Sequence, residues 1–348
     1  MKAVLLAALA MAAAPAWAQS TATLYGRMDL TVQYLNRSGG GLPGASSVNM
    51  ASDTNYWGLQ GTEQIGEQRA YYRIEAGFQP NTGRGGGALF DRESYVGWAG
   101  PAGNVQIGGQ FAPAVTLTGR LDPFQRSMNG LIQNLMQVNA GNANRGTLSH
   151  KDNAVQYISP KLGGFTARAM YSFANNWSGS LDVTRSRALG LEYAAGRLYA
   201  ALSWEGSQLA RPNAEGGLRA RSQDTVFLGA VYDFGDFKLH GMLLHNKLEG
   251  EATAFGHMLG LTTGLQSGTV RLSWTSRNLR HEAGSRASVY ALGYTYPLSK
   301  RTTAYTSLAY LHNGDRARYN LWPDSRSRSV TEPGQSTTGF QIGLRHMF

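Results

Sequence analysis

The sequence predicts an all-β protein whose 16 antiparallel strands close into a transmembrane β-barrel. Three observations predict this fold. Successive segments of about ten residues alternate apolar and polar side chains, short turns alternate with longer polar loops, and no stretch beyond the N-terminus is apolar enough for a membrane-spanning helix. A closed barrel satisfies its backbone hydrogen bonds from strand to strand, as a bilayer requires.

The first 18 residues are a predicted signal peptide. Met1 and Lys2 give a basic start, residues 4–14 are apolar, and Ala16-Trp17-Ala18 is a small-x-small cleavage site. A membrane-spanning helix needs roughly 20 apolar residues, and this run is too short. We therefore expect export and cleavage, with residues 19–348 forming the mature barrel.

The composition disfavours several classes of protein. Charged residues make up only 16% of the chain, and cysteine is absent although an exported protein meets an oxidising compartment. The formal charge is +10, or +9 once Lys2 leaves with the signal peptide. The arginines are dispersed singly, which disfavours nucleic-acid binding and favours a positively charged, water-filled lumen.

The alternation is clear in the first predicted strand, residues 23–33. Leu24, Met28, Leu30 and Val32 share one face, suited to lipid, and the other face carries Tyr25, Arg27, Asp29, Thr31 and Gln33. The same split recurs in residues 69–78, 197–204, 268–277 and 339–348. A soluble β-sandwich also alternates, so this pattern alone does not separate the two folds.

Connection lengths distinguish a membrane barrel from a soluble β-sandwich better, because outer-membrane barrels have short periplasmic turns and longer outer loops. The seven predicted turns are 63–67, 100–103, 159–164, 194–196, 234–236, 262–267 and 297–300. The eight predicted loops are 36–54, 79–88, 112–149, 175–187, 206–223, 246–253, 278–285 and 313–333. Seven turns and eight loops connect 16 strands.

The third loop, residues 112–149, is far longer than a usual connection. Its apolar residues, including Phe124, Ile132 and Leu135, argue against disorder. In a barrel, the surface available to them is the inner wall. We therefore expect the third loop to fold into the lumen.

Several segments resemble the Gram-negative general porins of the betaproteobacterial and neisserial type. They occur in the family's order and are TLYGRMD at 23–29, GLQGTE at 58–63, LFDRESYVG at 89–97, DNAVQYISP at 152–160, YDFG at 232–235, GYTYPLSKRT at 293–302 and GLRHMF at 343–348. The resemblance implies a 16-stranded barrel, a homotrimer and a third loop that narrows the pore. It also implies that Phe348 belongs to the signal read by the barrel-assembly machinery.

The expected function is passive diffusion of small hydrophilic solutes and ions across the outer membrane, without enzymatic activity. Selectivity in such a pore depends on its radius and lining charges. The predicted pore-lining and constriction residues are Arg27, Asp29, Arg69, Arg73, Glu75, Arg120, Asp122, Arg126, Arg168 and Arg271. Tyr56, Gly109 and His150 stand where the family pattern places arginine, so we expect only a modest anion preference.

Two alternatives remain open. A substrate-specific outer-membrane channel would share the fold and differ in the geometry of its lumen. A barrel enzyme is less favoured, because the seven histidines show no metal-site spacing and no serine-hydrolase elbow is present. No cofactor or metal is expected. The expected partners are outer-membrane lipid, lipopolysaccharide, small solutes and the assembly machinery, and not nucleic acid.

Overall fold

The computed structural model describes residues 21–348, except residues 42, 53, 86, 138–147, 174–184, 214–216 and 322–331. The predicted signal peptide therefore lies outside the described residues. No helix in the described part of the chain is long and apolar enough to cross a bilayer. The third loop contains the helices α1 (Pro113–Leu121) and α2 (Gln133–Met136).

Strands form the rest of the regular structure. They are β1 (Thr21–Gly39), β2 (Ala45–Ser52), β3 (Tyr56–Ile65), β4 (Gln68–Gln79), β5 (Arg84–Gly85), β6 (Glu93–Gly100), β7 (Gly103–Phe111), β8 (His150–Ile158), β9 (Phe165–Ser172), β10 (Ser186–Ala195), β11 (Leu198–Pro212), β12 (Leu218–Asp233), β13 (Phe237–Leu248), β14 (Ala254–Leu265), β15 (Gly268–Leu279), β16 (Ala287–Pro297), β17 (Thr302–Asn313) and β18 (Gln335–Met347).

These 18 segments form one closed antiparallel barrel with 16 strands around its circumference. β2 and β3 both pair with β1. β2 pairs with the half of β1 near the long loops and β3 with the half near the short turns, so the two count as one interrupted barrel strand. β5 is a two-residue extension paired with the end of β4. β1 pairs with β18, which closes the sheet and confirms the predicted strand number.

The two faces of the wall are those that the alternation predicts. In β1, Leu24 is 59% exposed on the outer face, whereas Asp29 is fully buried on the inner one. Exposed aromatic side chains mark both edges of the outer apolar band, as in other membrane barrels. Those near the short turns are Trp98, Tyr157, Phe165, Tyr232, Phe237 and Tyr296, and those near the long loops are Tyr34, Tyr171, Phe255, Trp274, Tyr290 and Tyr310.

Several strands continue into segments that the sequence predicts as loops. Within the predicted loop 36–54, β1 runs to Gly39 and β2 occupies Ala45–Ser52. Likewise β11 extends to Pro212 and β12 begins at Leu218, so both cross much of the predicted loop 206–223. Backbone pairing holds these hairpins together, and it needs no apolar face once both strands project beyond the lipid.

The seam of the barrel is closed by the last residue. Phe348 and Gly26 exchange two backbone hydrogen bonds of 3.1 Å, and the Phe348 ring lies over the outer face of Gly26. A Cβ atom on Gly26 would stand 2.3 Å from the Phe348 ring. The missing side chain therefore lets the terminal aromatic lie flat against the first strand.

We expect Gly26→Val to slow and reduce closure of the barrel during refolding into lipid vesicles. The valine side chain would push the Phe348 ring off the seam and disturb both hydrogen bonds. The measurement is the yield of the heat-modifiable folded form on a cold detergent gel. Gly241→Val is the matched control, because Gly241 lies inside β13 with no atom within 4 Å of its would-be Cβ. Equal yields from both variants would contradict the predicted role of the seam.

Candidate functional site

Four glycines on the inner wall make room for the third loop. We name them the glycine track: Gly190 in β10, Gly229 in β12, Gly260 in β14 and Gly293 in β16. The loop side chains that cover them, in the same order, are Leu117, Leu121, Pro123 and Phe124. A Cβ on any of these glycines would stand 2.6 to 2.9 Å from a loop atom. The loop thus packs directly on the backbone of alternate strands.

Polar side chains of the wall hold the same loop by its carbonyl groups. The Tyr199 hydroxyl donates to the Leu117 carbonyl at 3.2 Å, and Arg277 donates to the Leu135 carbonyl at 3.0 Å. His240 Nδ1 lies 2.9 Å from the Leu121 carbonyl, and Arg271 donates to that of Pro123. Buried carbonyls need such partners, so the loop is fixed both by packing and by hydrogen bonds. The predicted pore residue Arg271 anchors the loop.

Asp122 organises the loop from within. Its side chain is only 1% exposed and accepts hydrogen bonds from the backbone N–H groups of Phe124 and Arg126 at 2.9 Å and of Ile132 at 3.2 Å. Burial raises the pKa of Asp122 to about 6, and the three N–H donors oppose that rise. The sequence predicts Asp122 as a pore-lining residue, whereas the structure buries its carboxylate against three backbone N–H groups of its own loop.

Arg126 also binds its own loop. Its guanidinium donates to the carbonyl of Val115 at 3.3 Å and to that of Leu148 at 3.2 Å, which ties α1 to the returning end of the loop. The sequence predicts a constriction cation at this position, yet these donors are directed at loop carbonyls. The side chain is half-buried as a result.

Two carboxylates on the wall are each shared by two arginines. Asp29 accepts from Arg27 at 2.7 Å and from Arg345 at 2.6 Å, and also from the Tyr305 hydroxyl. Because one negative charge meets two positive charges, this cluster on β1 and β18 keeps a positive excess.

The second such carboxylate is Glu192 on β10. Arg168 of the wall lies 3.4 Å from it, and Arg120 of α1 lies 3.2 Å from it. The Arg120 guanidinium also lies 3.9 Å from the Tyr199 ring centroid, while 54% of its side chain stays exposed to the lumen. This cluster places an accessible cation where the loop meets the wall.

A third cluster balances its charges. Arg73 donates to Glu93 at 3.1 Å, Arg92 pairs with Glu75, and the Tyr25 hydroxyl donates to Glu75 at 3.0 Å. The Arg92 guanidinium lies 4.7 Å from the ring of Tyr56, the residue at the position where the family pattern has arginine. Two cations and two carboxylates leave little excess charge here.

Arg69 lies apart from these clusters. It is the second residue of β4, just after a short turn, and its exposed guanidinium lies 5.5 Å from the Tyr71 ring. The structure therefore does not bring Arg69 and Arg73 together in one ion-pair cluster, although they are only four residues apart on one face.

The wall also contains a buried ion pair that the sequence did not reveal. Lys151 Nζ lies 2.6 Å from a carboxylate oxygen of Glu205, and their side chains are 7% and 1% exposed. In the sequence, the basic pair His150-Lys151 stands near a position where the family pattern has arginine in the pore. In the structure, the Lys151 ammonium is neutralised inside the wall.

Some of the missed residues had a sequence signal. Glu192 directly follows the outward-facing Leu191, so continued alternation would have placed it inward. Arg92 precedes β6 by one residue, where alternation has not begun. The glycine track could have been found as glycines at lumen-facing positions between lipid-facing leucines, as in Leu259-Gly260-Leu261.

Comparison with known proteins agrees with this geometry. The sequence model of one family, described as Gram-negative porin, matches residues 5–316. The chain is 30% identical to outer membrane porin protein 32 of Delftia acidovorans, over 100% of this chain and 99% of that protein. It is 27% identical to an outer membrane porin protein of Bordetella pertussis, over 100% of both chains.

Solved structures show the same fold. An anion-selective porin from Comamonas acidovorans superposes with a TM-score of 0.83 at 28% identity, covering 95% of this chain and 100% of that one. A more distant outer membrane protein of Vibrio cholerae, solved in a trimer form, has a TM-score of 0.66 at 13% identity, covering 94% of this chain and 99% of that one.

Proposed function

The chain belongs to the Gram-negative porin family and is an outer-membrane protein, and we propose that its lumen passes small hydrophilic solutes and ions with a modest preference for anions. The observation that carries the preference is the sharing of Asp29 and of Glu192 by two arginines each. Excess positive charge beside water raises the local concentration of anions. The similar Comamonas protein is named as anion-selective.

The pore-lining set follows from these clusters. We propose that Arg120, with its exposed guanidinium, is the loop cation closest to the permeating ions. Arg27, Asp29, Arg73, Glu75 and Arg168 would shape the field of the wall, and Arg69 that of the periplasmic mouth. Arg271 would act through the position of the loop, because it binds the Pro123 carbonyl.

The assembly is proposed from the family resemblance. We expect a homotrimer in outer-membrane lipid and lipopolysaccharide, delivered by the barrel-assembly machinery that reads Phe348. Cross-linking of the purified protein in detergent tests the trimer, and a monomer as the largest product would contradict it.

A planar-bilayer recording tests the channel itself. We expect large ohmic conductance in potassium chloride and, in a salt gradient, a reversal potential of the sign that anion preference produces. A cation-selective potential would overturn the preference, and absence of any conductance would overturn the channel.

Two charge variants should shift the selectivity in opposite directions. Arg120→Gln should lower the anion-to-cation permeability ratio, and Glu192→Gln, which frees two guanidinium groups, should raise it. We expect each change to be about two- to fivefold, since a unit charge a few ångströms away in water is worth about 1 kcal/mol or less. The reversal potential measures both, and shifts of the same sign would contradict the assignment.

A further inference from the structure

We propose that the periplasmic half of the lumen wall binds small aromatic carboxylates through an arginine–tyrosine ladder, which we define as Arg69, Tyr71, Arg73 and Tyr95. This inference rests on the proposed open channel and adds a ligand class to it. Arg69, Tyr71 and Arg73 alternate along β4 on the lumen face, and Tyr95 on β6 lies opposite Arg73 in register. The site is therefore built on rigid strands.

The ladder lines a distinct cavity. With Thr21, Thr23 and Gln60 of the neighbouring strands, the four side chains surround about 290 Å³. This volume suits a single small solute. The cavity begins beside the short turn that precedes β4, so a solute entering from the periplasm meets it before the third loop.

The ladder holds donors that the protein leaves unused. Within the described part of the chain, Arg69 forms no ion pair, and the hydroxyls of Tyr71 and Tyr95 form no hydrogen bond. Arg73 donates to Glu93 and Gln60, yet 37% of its side chain remains exposed. The other wall arginines described above are directed at a carboxylate or at a loop carbonyl. A guanidinium and two phenol groups thus face the same cavity with open hydrogen-bonding capacity.

The two rings are arranged to receive a third. Tyr71 and Tyr95 meet edge to face, with centroids 6.2 Å apart at 87°. The Tyr71 ring is held over Gly97, where an added Cβ would stand 2.3 Å from the ring. A ring fixed in this way loses little freedom on binding, and aromatic contacts favour such offset or edge-on geometry.

These features together select the ligand class. A guanidinium binds a carboxylate through paired, charge-assisted hydrogen bonds, which an inorganic anion also uses. Unlike an inorganic anion, an aromatic carboxylate engages both the Arg69 guanidinium and the tyrosine rings. An aliphatic carboxylate of equal charge would bind the arginine alone. The contribution of the tyrosine rings should therefore be measurable as stronger binding of benzoate than of cyclohexanecarboxylate.

The test is a blockade titration in planar bilayers. Sodium benzoate, cyclohexanecarboxylate and acetate are each added to wild-type channels in potassium chloride, and the half-blocking concentrations are compared. We expect benzoate to block at a several-fold lower concentration than cyclohexanecarboxylate. Arg69→Gln should raise the half-blocking concentration of benzoate about tenfold, the loss of one charge-assisted contact. Tyr71→Leu should remove the preference for the aromatic ring.

Controls separate this proposal from the channel itself. Arg219→Gln removes an equal charge from the outer rim, where Arg219 pairs with Glu249 at 52% exposure, and should leave blockade unchanged. Tyr71→Phe keeps the ring and should keep most of the preference. Absence of conductance in wild type would overturn the channel. A conducting channel with equal block by benzoate and cyclohexanecarboxylate, or with Arg69→Gln unchanged, would overturn the ladder and leave the channel standing.

Discussion

Asp122→Ala should release the third loop from its fixed position and leave the barrel intact. The substitution leaves three N–H groups without their acceptor, those of the buried Phe124 and Ile132 and of the half-buried Arg126. Each buried unsatisfied donor costs about 1–3 kcal/mol. The packed conformation of the loop should therefore lose much of its free-energy advantage over conformations in which the loop leaves the wall. We expect higher single-channel conductance and strong current noise, measured in planar bilayers.

The matched control is Asp236→Ala, in the short turn before β13 and far from the loop. It should leave conductance unchanged. A quiet Asp122→Ala channel of wild-type conductance would contradict the role assigned to Asp122. A normal heat-modifiable band on a cold gel would show that any change arises in the loop.

Lys151→Met should be the most destabilising substitution in the wall. It leaves the Glu205 carboxylate, which is 1% exposed, without the ammonium that lies 2.6 Å away. Breaking a buried ion pair from one side costs about 3–5 kcal/mol, because the remaining charge is desolvated and unpaired. Urea titration in lipid vesicles should show this loss in the free energy of unfolding.

The double variant Lys151→Met with Glu205→Gln should regain most of that loss, since it removes the orphan charge. The exposed pair Arg219–Glu249 provides the comparison, and Arg219→Ala should cost about 1 kcal/mol or less. If Lys151→Met and Arg219→Ala cost the same, the burial of the Lys151–Glu205 pair has no energetic importance.

Strand number was predictable because it depends on a local pattern. Turns and loops could be counted from residue types, and alternation placed Leu24 outward and Asp29 inward without knowledge of their neighbours. Strand ends were less predictable. Polar hairpins such as Ala45–Ser52 look like loops in sequence, because a strand outside the lipid carries no apolar face.

The sequence predicted which charged residues face the lumen, but it did not predict which groups they bind. The alternation of apolar and polar residues identified Arg27, Asp29 and Arg271 as inward-facing. It could not show that Asp29 would be shared with Arg345, which is 316 residues away, or that Arg271 would bind the Pro123 carbonyl, 148 residues away. The sequence suggests a pore charge at Asp122 because nothing local reveals that three amides converge on it.

The sequence by itself determined the outer-membrane barrel, its 16 strands and, within the predicted strands, the side of the wall that a residue faces, because alternation and turn chemistry act between near neighbours in the chain. Only the tertiary structure decided which charges stay available to a permeating solute. Closure of the barrel and packing of the loop on the glycine track bring together groups from opposite ends of the chain. Those contacts pair Glu205 with Lys151, bury Asp122 and leave Arg120 and Arg69 exposed.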